Sequence, residues 1–168
     1  MPQLAARMPA NDSPAPPRGG MAPPLPQVDS LTAYNLRVAR LLAQCRRDGG
    51  QLALLWVEVA TLAPPGHALG EAERESMLHS ASQRLRNRVR SADEVQRVGD
   101  HCFAVLLVGA GIDEAALVER RLLDTLRGTY GVDGRLLQIA VRMGTAVFPD
   151  DGRQGAELAG AAQRNMRT

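Results

Sequence analysis

The sequence contains no lysine: all 20 of its basic residues are arginine. Genomic base composition is the simplest cause, yet a chemical consequence follows, because any phosphate bound here must be held by guanidinium groups, backbone amides or a metal. Aromatic residues are nearly as scarce, at 3% against 45% apolar overall. The interior must therefore be built from Leu, Val, Ala and Ile, with Trp56, Phe103 and Phe148 as its rare large pieces. Cysteine occurs twice, at Cys45 and Cys102, too few and too scattered for a disulfide framework or a metal-ligand cluster. No apolar run has the length of a membrane span and none reads as a secretory segment, so a cytoplasmic location without membrane contact is expected. The net charge of +2 is too small to argue for nucleic acid, and no aromatic stacking platform accompanies the arginines.

What is present divides the 168 residues into a leader and one domain. Residues 1–28 hold most of the prolines and show no apolar period, which reads as a disordered Pro-rich leader; residues 29–168 form the domain. Asp29 is placed to cap a helix in which Leu31, Tyr34, Val38, Leu41 and Cys45 recur at spacings of three and four until Gly49-Gly50. Residues 52–59 are almost continuously apolar, as a strand buried on both faces should be. A turn at Pro64-Pro65-Gly66 leads to a helix over about 68–89, with Leu78, Ala81, Leu85 and Val89 on one stripe. Residues 94–98 and 103–108 read as short strands joined by a hairpin at Gly99-Asp100-His101. A third helix carries Ala115, Val118, Leu122 and Leu126 and ends near Gly128; a strand over 136–147 and a short C-terminal helix follow. The expected fold class is α/β (α+β), a ferredoxin-like β-α-β-β-α-β core with additional N- and C-terminal helices.

Four segments resemble, in order, landmarks of the GGDEF (diguanylate cyclase) family. Asp29-Ser30-Leu31-Thr32 is similar to the opening of the family's DxLTGLxNR segment, and Gly66-His67-Ala68-Leu69-Gly70-Glu71 to its GHxxGD. The stretch from Arg90 to Gly99 resembles RxxDxVARxG, and Met143-Gly144 through Phe148-Pro149-Asp150-Asp151-Gly152 resembles the SIGIAxxPxDG strand and turn. Each piece alone is weak; four in register on the expected elements are fairly specific. The resemblance implies the fold of GGDEF and nucleotidyl cyclase domains and a place in cyclic di-GMP signalling.

At the hairpin that gives the family its name, this sequence reads Gly99-Asp100-His101-Cys102-Phe103, keeping the first and last positions. In the family the second glycine lets backbone approach phosphates, and the acidic third position holds Mg²⁺ with an acid at the end of the first strand. Glu58 falls at that first-strand position, but its implied partner is His101, and Mg²⁺ prefers oxygen ligands. Phosphoryl chemistry depends on metal positioning and charge neutralisation, so the resemblance implies a domain that is not an enzyme, with no catalytic residue, metal or cofactor. A Zn²⁺ site of Glu58, His101 and Cys102 suits the ligand types, but adjacent strand residues point to opposite faces. Two further departures agree: the chain between Glu58 and Gly66 lacks the Asn expected to read guanine, with Glu71 standing where an Asp would do the same, and the sequence stops at Thr168 before the family's phosphate-contacting Lys.

The RxxD spacing, by contrast, is intact as Arg90 and Asp93. In many cyclases of the family this motif forms an inhibitory site for the product, so the resemblance implies a cyclic di-GMP site of Arg90 and Asp93, with Arg86 one helical turn earlier and Arg121 as an accessory. A guanidinium fork suits phosphate or a guanine edge, and a carboxylate accepts from guanine N–H groups. The bland reading is a solvated helix end, with Asp93 paired to an arginine. Three functions stay open: a sensor of cyclic di-GMP signalling to a protein partner, a nucleotide-independent scaffold for protein–protein interaction or homodimerisation, and an active cyclase.

Overall fold

The computed structural model describes residues 30–62 and 68–168. The leader, the Asp29 cap, the Pro64-Pro65-Gly66 turn and the Gly66-His67 pair lie outside the described residues. In chain order the elements are α1 (Ser30–Asp48), β1 (Leu52–Thr61), α2 (Glu71–Arg86), β2 (Glu94–Arg97), β3 (Cys102–Val108), α3 (Ile112–Leu126), β4 (Thr129–Val132), β5 (Arg135–Phe148) and α4 (Gly155–Arg164). The five strands form one sheet in the order β2-β3-β1-β5-β4, with every neighbouring pair antiparallel. Without β4 this is the expected ferredoxin-like core, with β1 in the centre.

β1 is apolar from Leu52 to Val57 because both faces are covered there. Its Ala53, Leu55, Val57 and Val59 join Met77, Leu78 and Leu85 of α2 and Val118, Leu122 and Leu126 of α3 in one core. Its Leu52, Leu54 and Trp56 join Tyr34, Val38 and Leu42 of α1 and Leu158, Ala161 and Ala162 of α4 in the other. Alternation along the strand then places Glu58 on the α1/α4 side, near the end of the apolar run. At Gly144 of β5 the sheet meets α4 so closely that a Cβ would stand 1.9 Å from the Ala162 carbonyl oxygen, which explains the glycine.

Three expectations need correction. The strand expected over 136–147 is longer and is half of a hairpin: β4 pairs with its start, Val132 opposite Arg135. The turn is Asp133-Gly134, both with positive φ (48° and 76°), the backbone of a two-residue hairpin turn. The helix expected over 68–89 is shorter at both ends. Gly70 is extended at its N-cap, and beyond Asn87 the chain turns, although Val89 still packs on the core. On α1, Leu42 completes the buried stripe, Leu41 is only half-buried and Leu31 is 54% exposed.

Candidate functional site

The hairpin between β2 and β3 closes beside the end of β1. Val98 N–H donates to the Cys102 carbonyl (3.0 Å), Val59 N–H donates to the His101 carbonyl (2.9 Å), and Glu58 is the register partner of Cys102. The sequence-predicted positions Glu58, His101 and Cys102 therefore come together, at the mouth of a cleft of about 660 Å³ that Thr61, Arg74 and Arg142 also line. Gly99 and Asp100 form the turn, and Phe103 enters the core behind it.

The donors at this mouth do not suit the Mg²⁺ that the family resemblance implies. Glu58 supplies a carboxylate, and Arg142 already stands 3.6 Å from it. Across the register stands the Cys102 thiol, and His101 lines the same cleft; a thiol and an imidazole are poorer partners for a hard ion than oxygen ligands. Burial, and then the Glu58 carboxylate, push the Cys102 thiol above its ordinary pKa and keep it protonated. Among the described residues no three His, Cys, Asp or Glu side chains gather as a metal site, so the zinc alternative finds no support there.

One side chain organises the hairpin, and sequence reasoning did not single it out. Arg97, 8% exposed, meets Glu75 of α2 with two bonds of 2.6 and 2.8 Å, and donates to the carbonyls of Gly99 and Asp100 at 3.2 Å each. The hydrogen bonds from Arg97 hold the Glu75 carboxyl below its usual range. A signal was available: Val95 and Arg97 share one face of β2, so a charged residue sits at a core-facing position.

The RxxD pair lies at the other end of β2. Asp93 is a buried clamp, its side chain 3% exposed. One carboxylate oxygen accepts from Val108 N–H at the end of β3 (3.0 Å); the other accepts from the Arg90 backbone N–H (3.0 Å) and Nε (3.5 Å). Arg90 is 57% exposed, donates to the Val108 carbonyl (2.9 Å) and stands 3.6 Å from Glu114. Arg121 donates instead to the Arg88 carbonyl (2.7 Å) and lines a surface recess of about 460 Å³ with Arg88, Leu117, Arg120, Asp124 and Thr125. Glu114 and Arg121 are two turns apart on α3, about 10 Å along its axis. Arg90 and Arg121 thus bracket one arginine-rich strip, while Arg86 is exposed at the end of α2 and outside that recess.

The hairpin, the RxxD turn and a central strand bearing an acid occupy one five-stranded antiparallel sheet, and the family model "Diguanylate cyclase, GGDEF domain" matches residues 24–168. The chain belongs to the GGDEF domain family. Among its relatives, the cyclic di-GMP phosphodiesterase NbdA of Pseudomonas aeruginosa is 28% identical over 78% of this chain, and the diguanylate cyclase TpbB of the same organism 26% identical over 77%. The matched regions cover 17% and 32% of those two proteins, so the chain spans a minor part of each. The crystal structure of the GGDEF domain of TpbB superimposes with a TM-score of 0.72 at 25% identity, covering 83% of this chain and 86% of that one. GGDEF domains belong to cyclic di-GMP signalling, which sets the chemical context for both sites. Among the described residues no helix is long and apolar enough to cross a membrane.

Proposed function

We propose that this chain is a regulatory GGDEF domain that does not make cyclic di-GMP, and that it binds the dinucleotide at the Arg90 strip and passes the signal to a protein partner. The observation that carries the reading is the composition of the hairpin mouth. Where the family chemistry needs a second acid beside the β1 carboxylate, Glu58 stands opposite the Cys102 thiol, shares the cleft with His101 and is paired with Arg142. Catalysis of phosphoryl transfer rests on positioned metal and neutralised charge, and this donor set supplies neither. For binding, the support is that the Arg90 backbone is fixed by Asp93 in a turn, and its guanidinium stands 3.6 Å from Glu114 of α3, the helix from which Arg121 reaches the Arg88 carbonyl. Preorganised guanidinium groups lose little freedom on meeting phosphate.

A second reading, a docking scaffold that binds no nucleotide, is favoured by one specific observation. The Asp93 side chain is 3% exposed and both its oxygens accept from this protein's own backbone, so a guanine reaches the carboxylate only if the turn opens. Isothermal titration with cyclic di-GMP separates the two readings. The sensor gives saturable heat that Arg90→Ala weakens by at least about tenfold, the scale of one charge-assisted contact; absence of heat at high protein concentration leaves the scaffold. Incubation with GTP and Mg²⁺ or Mn²⁺ tests inactivity, and any cyclic di-GMP formed above a no-protein control refutes it.

A further inference from the structure

β2 is an edge strand, and its ladder leaves a defined set of backbone groups facing outward. Val98 N–H donates to the Cys102 carbonyl, so antiparallel alternation makes Gln96–Ala104 and Glu94–Leu106 hydrogen-bonded pairs as well. The N–H and C=O groups of Val95 and Arg97 therefore point away from β3, to the side of β2 where the sheet has no further strand among the described residues. The side chain between them is unsettled. Gln96 Nε2 reaches Glu94 only at 3.5 Å, and Gln96 Oε1 is buried with no hydrogen-bond partner among the described residues. Opposite charges flank the strand: the exposed Arg88 and Arg90 precede it, and the exposed Asp100 follows it.

We infer that β2 pairs edge to edge with β2 of a second copy of this chain, about a two-fold axis at Gln96, joining two five-stranded sheets into one. Val95 of each copy stands opposite Arg97 of the other, and each such pair exchanges both of its N–H···O bonds. Other antiparallel registers about a two-fold set one of these residues against chain outside the strand, at Asp93 or Gly99. On the axis the two Gln96 residues form a non-hydrogen-bonded pair, with Cα atoms about 4.5 Å apart and side chains on one face. Each Nε2 then donates to the Oε1 of the other copy, the acceptor that its own chain leaves orphaned. The antiparallel direction sets Asp100 of each copy beside Arg88 and Arg90 of the other, whereas parallel pairing would bring like charges together. β2 lies two strands from β1, so the pairing leaves the cleft at Glu58 open and needs no nucleotide. A strand of four residues makes a small interface, so the association is weak and concentration-dependent.

Sedimentation equilibrium of the full chain without nucleotide, from about 1 μM to about 1 mM, tests it together with amide exchange at the two ends of that range. A monomer–dimer equilibrium is expected. The Val95 and Arg97 amides should exchange more slowly as the dimer fraction rises, while the Gln96 amide, already bonded within the sheet, should not change. Gln96→Lys puts like charges on the axis and should weaken association at least about tenfold. Glu94 beside it accommodates a lysine within one copy, and an unchanged circular dichroism spectrum verifies the fold of the variant. The exchange pattern of the parent tests the pairing without any substitution. The inference is overturned if the chain stays monomeric at the top of the range, if it associates without slowing the Val95 and Arg97 amides, or if Gln96→Lys associates as the parent does.

Discussion

Arg97→Ala removes the guanidinium that fastens the hairpin to α2, and its effect can be worked from the contacts. Two bonds to Glu75 and two to the carbonyls of Gly99 and Asp100 are lost together. Truncating one partner of a fully buried pair costs about 3–5 kcal/mol. Glu75, however, keeps 38% of its side chain exposed and regains water once released, so that figure must be reduced for solvent screening. A loss of about 2 kcal/mol is expected, seen as a lower urea midpoint at unchanged slope. The amides of Val98 and Val59, whose bonds close the hairpin, should exchange faster than the rest of the sheet. The sign with pH is fixed as well. Hydrogen bonding to Arg97 depresses the Glu75 carboxyl in the folded state, so its contribution is complete above the unfolded value near 4.5 and is lost as pH falls through the lower folded value. Glu75→Gln should flatten that acid limb of the stability curve. Parental stability for Arg97→Ala, with the acid limb unchanged, would refute the clamp.

Two other substitutions test neighbouring claims. Asp93→Ala orphans the N–H groups of Val108 and Arg90 and should cost about 2 kcal/mol, whereas Arg90→Ala, at a half-exposed side chain, should cost less than about 1; equal losses in urea denaturation would contradict the assignment of Asp93 as the clamp. Gly144→Ala forces a Cβ against the Ala162 carbonyl and the Met166 amide, at 1.9 and 2.7 Å, so α4 must shift and about 3 kcal/mol should be lost; an unchanged thermal midpoint would show that α4 does not press on β5.

The core elements were legible because their periods are simple. The all-apolar run of β1 could only be a strand covered on both faces, and Ala115, Val118, Leu122 and Leu126 mark the buried side of α3 as the sequence spacing predicted. β4 was overlooked, although Asp133-Gly134 is a strong hairpin signal: Gly131 and the exposed Thr129 dilute the apolar alternation of a four-residue strand. The end of α2 was placed too late because Val89 continues the apolar spacing; capture of the Arg90 amide by Asp93 belongs to a turn that periodicity does not see. At the site, spacing and family resemblance brought Glu58 to the hairpin and Arg90 to Asp93. They did not reveal that Asp93 is buried and satisfied, that Arg121 reaches Arg88 instead of Arg90, or that Arg97 pairs with Glu75, because partners far apart in sequence are set by packing.

These long-range pairs converge on β2. It has four residues and one neighbour, β3, so its ladder alone gives little stability. Polar ties compensate at three points: Asp93 anchors its start to Val108, Arg37 of α1 binds Glu94, and Arg97 anchors its end to Glu75. The ends of β2 lie beside different surfaces, the RxxD turn at one and the hairpin mouth at the other. About 13 Å of extended backbone separates Asp93 from Arg97. A change in either tie therefore acts on a strand of four residues with a single neighbour, too short to absorb it internally.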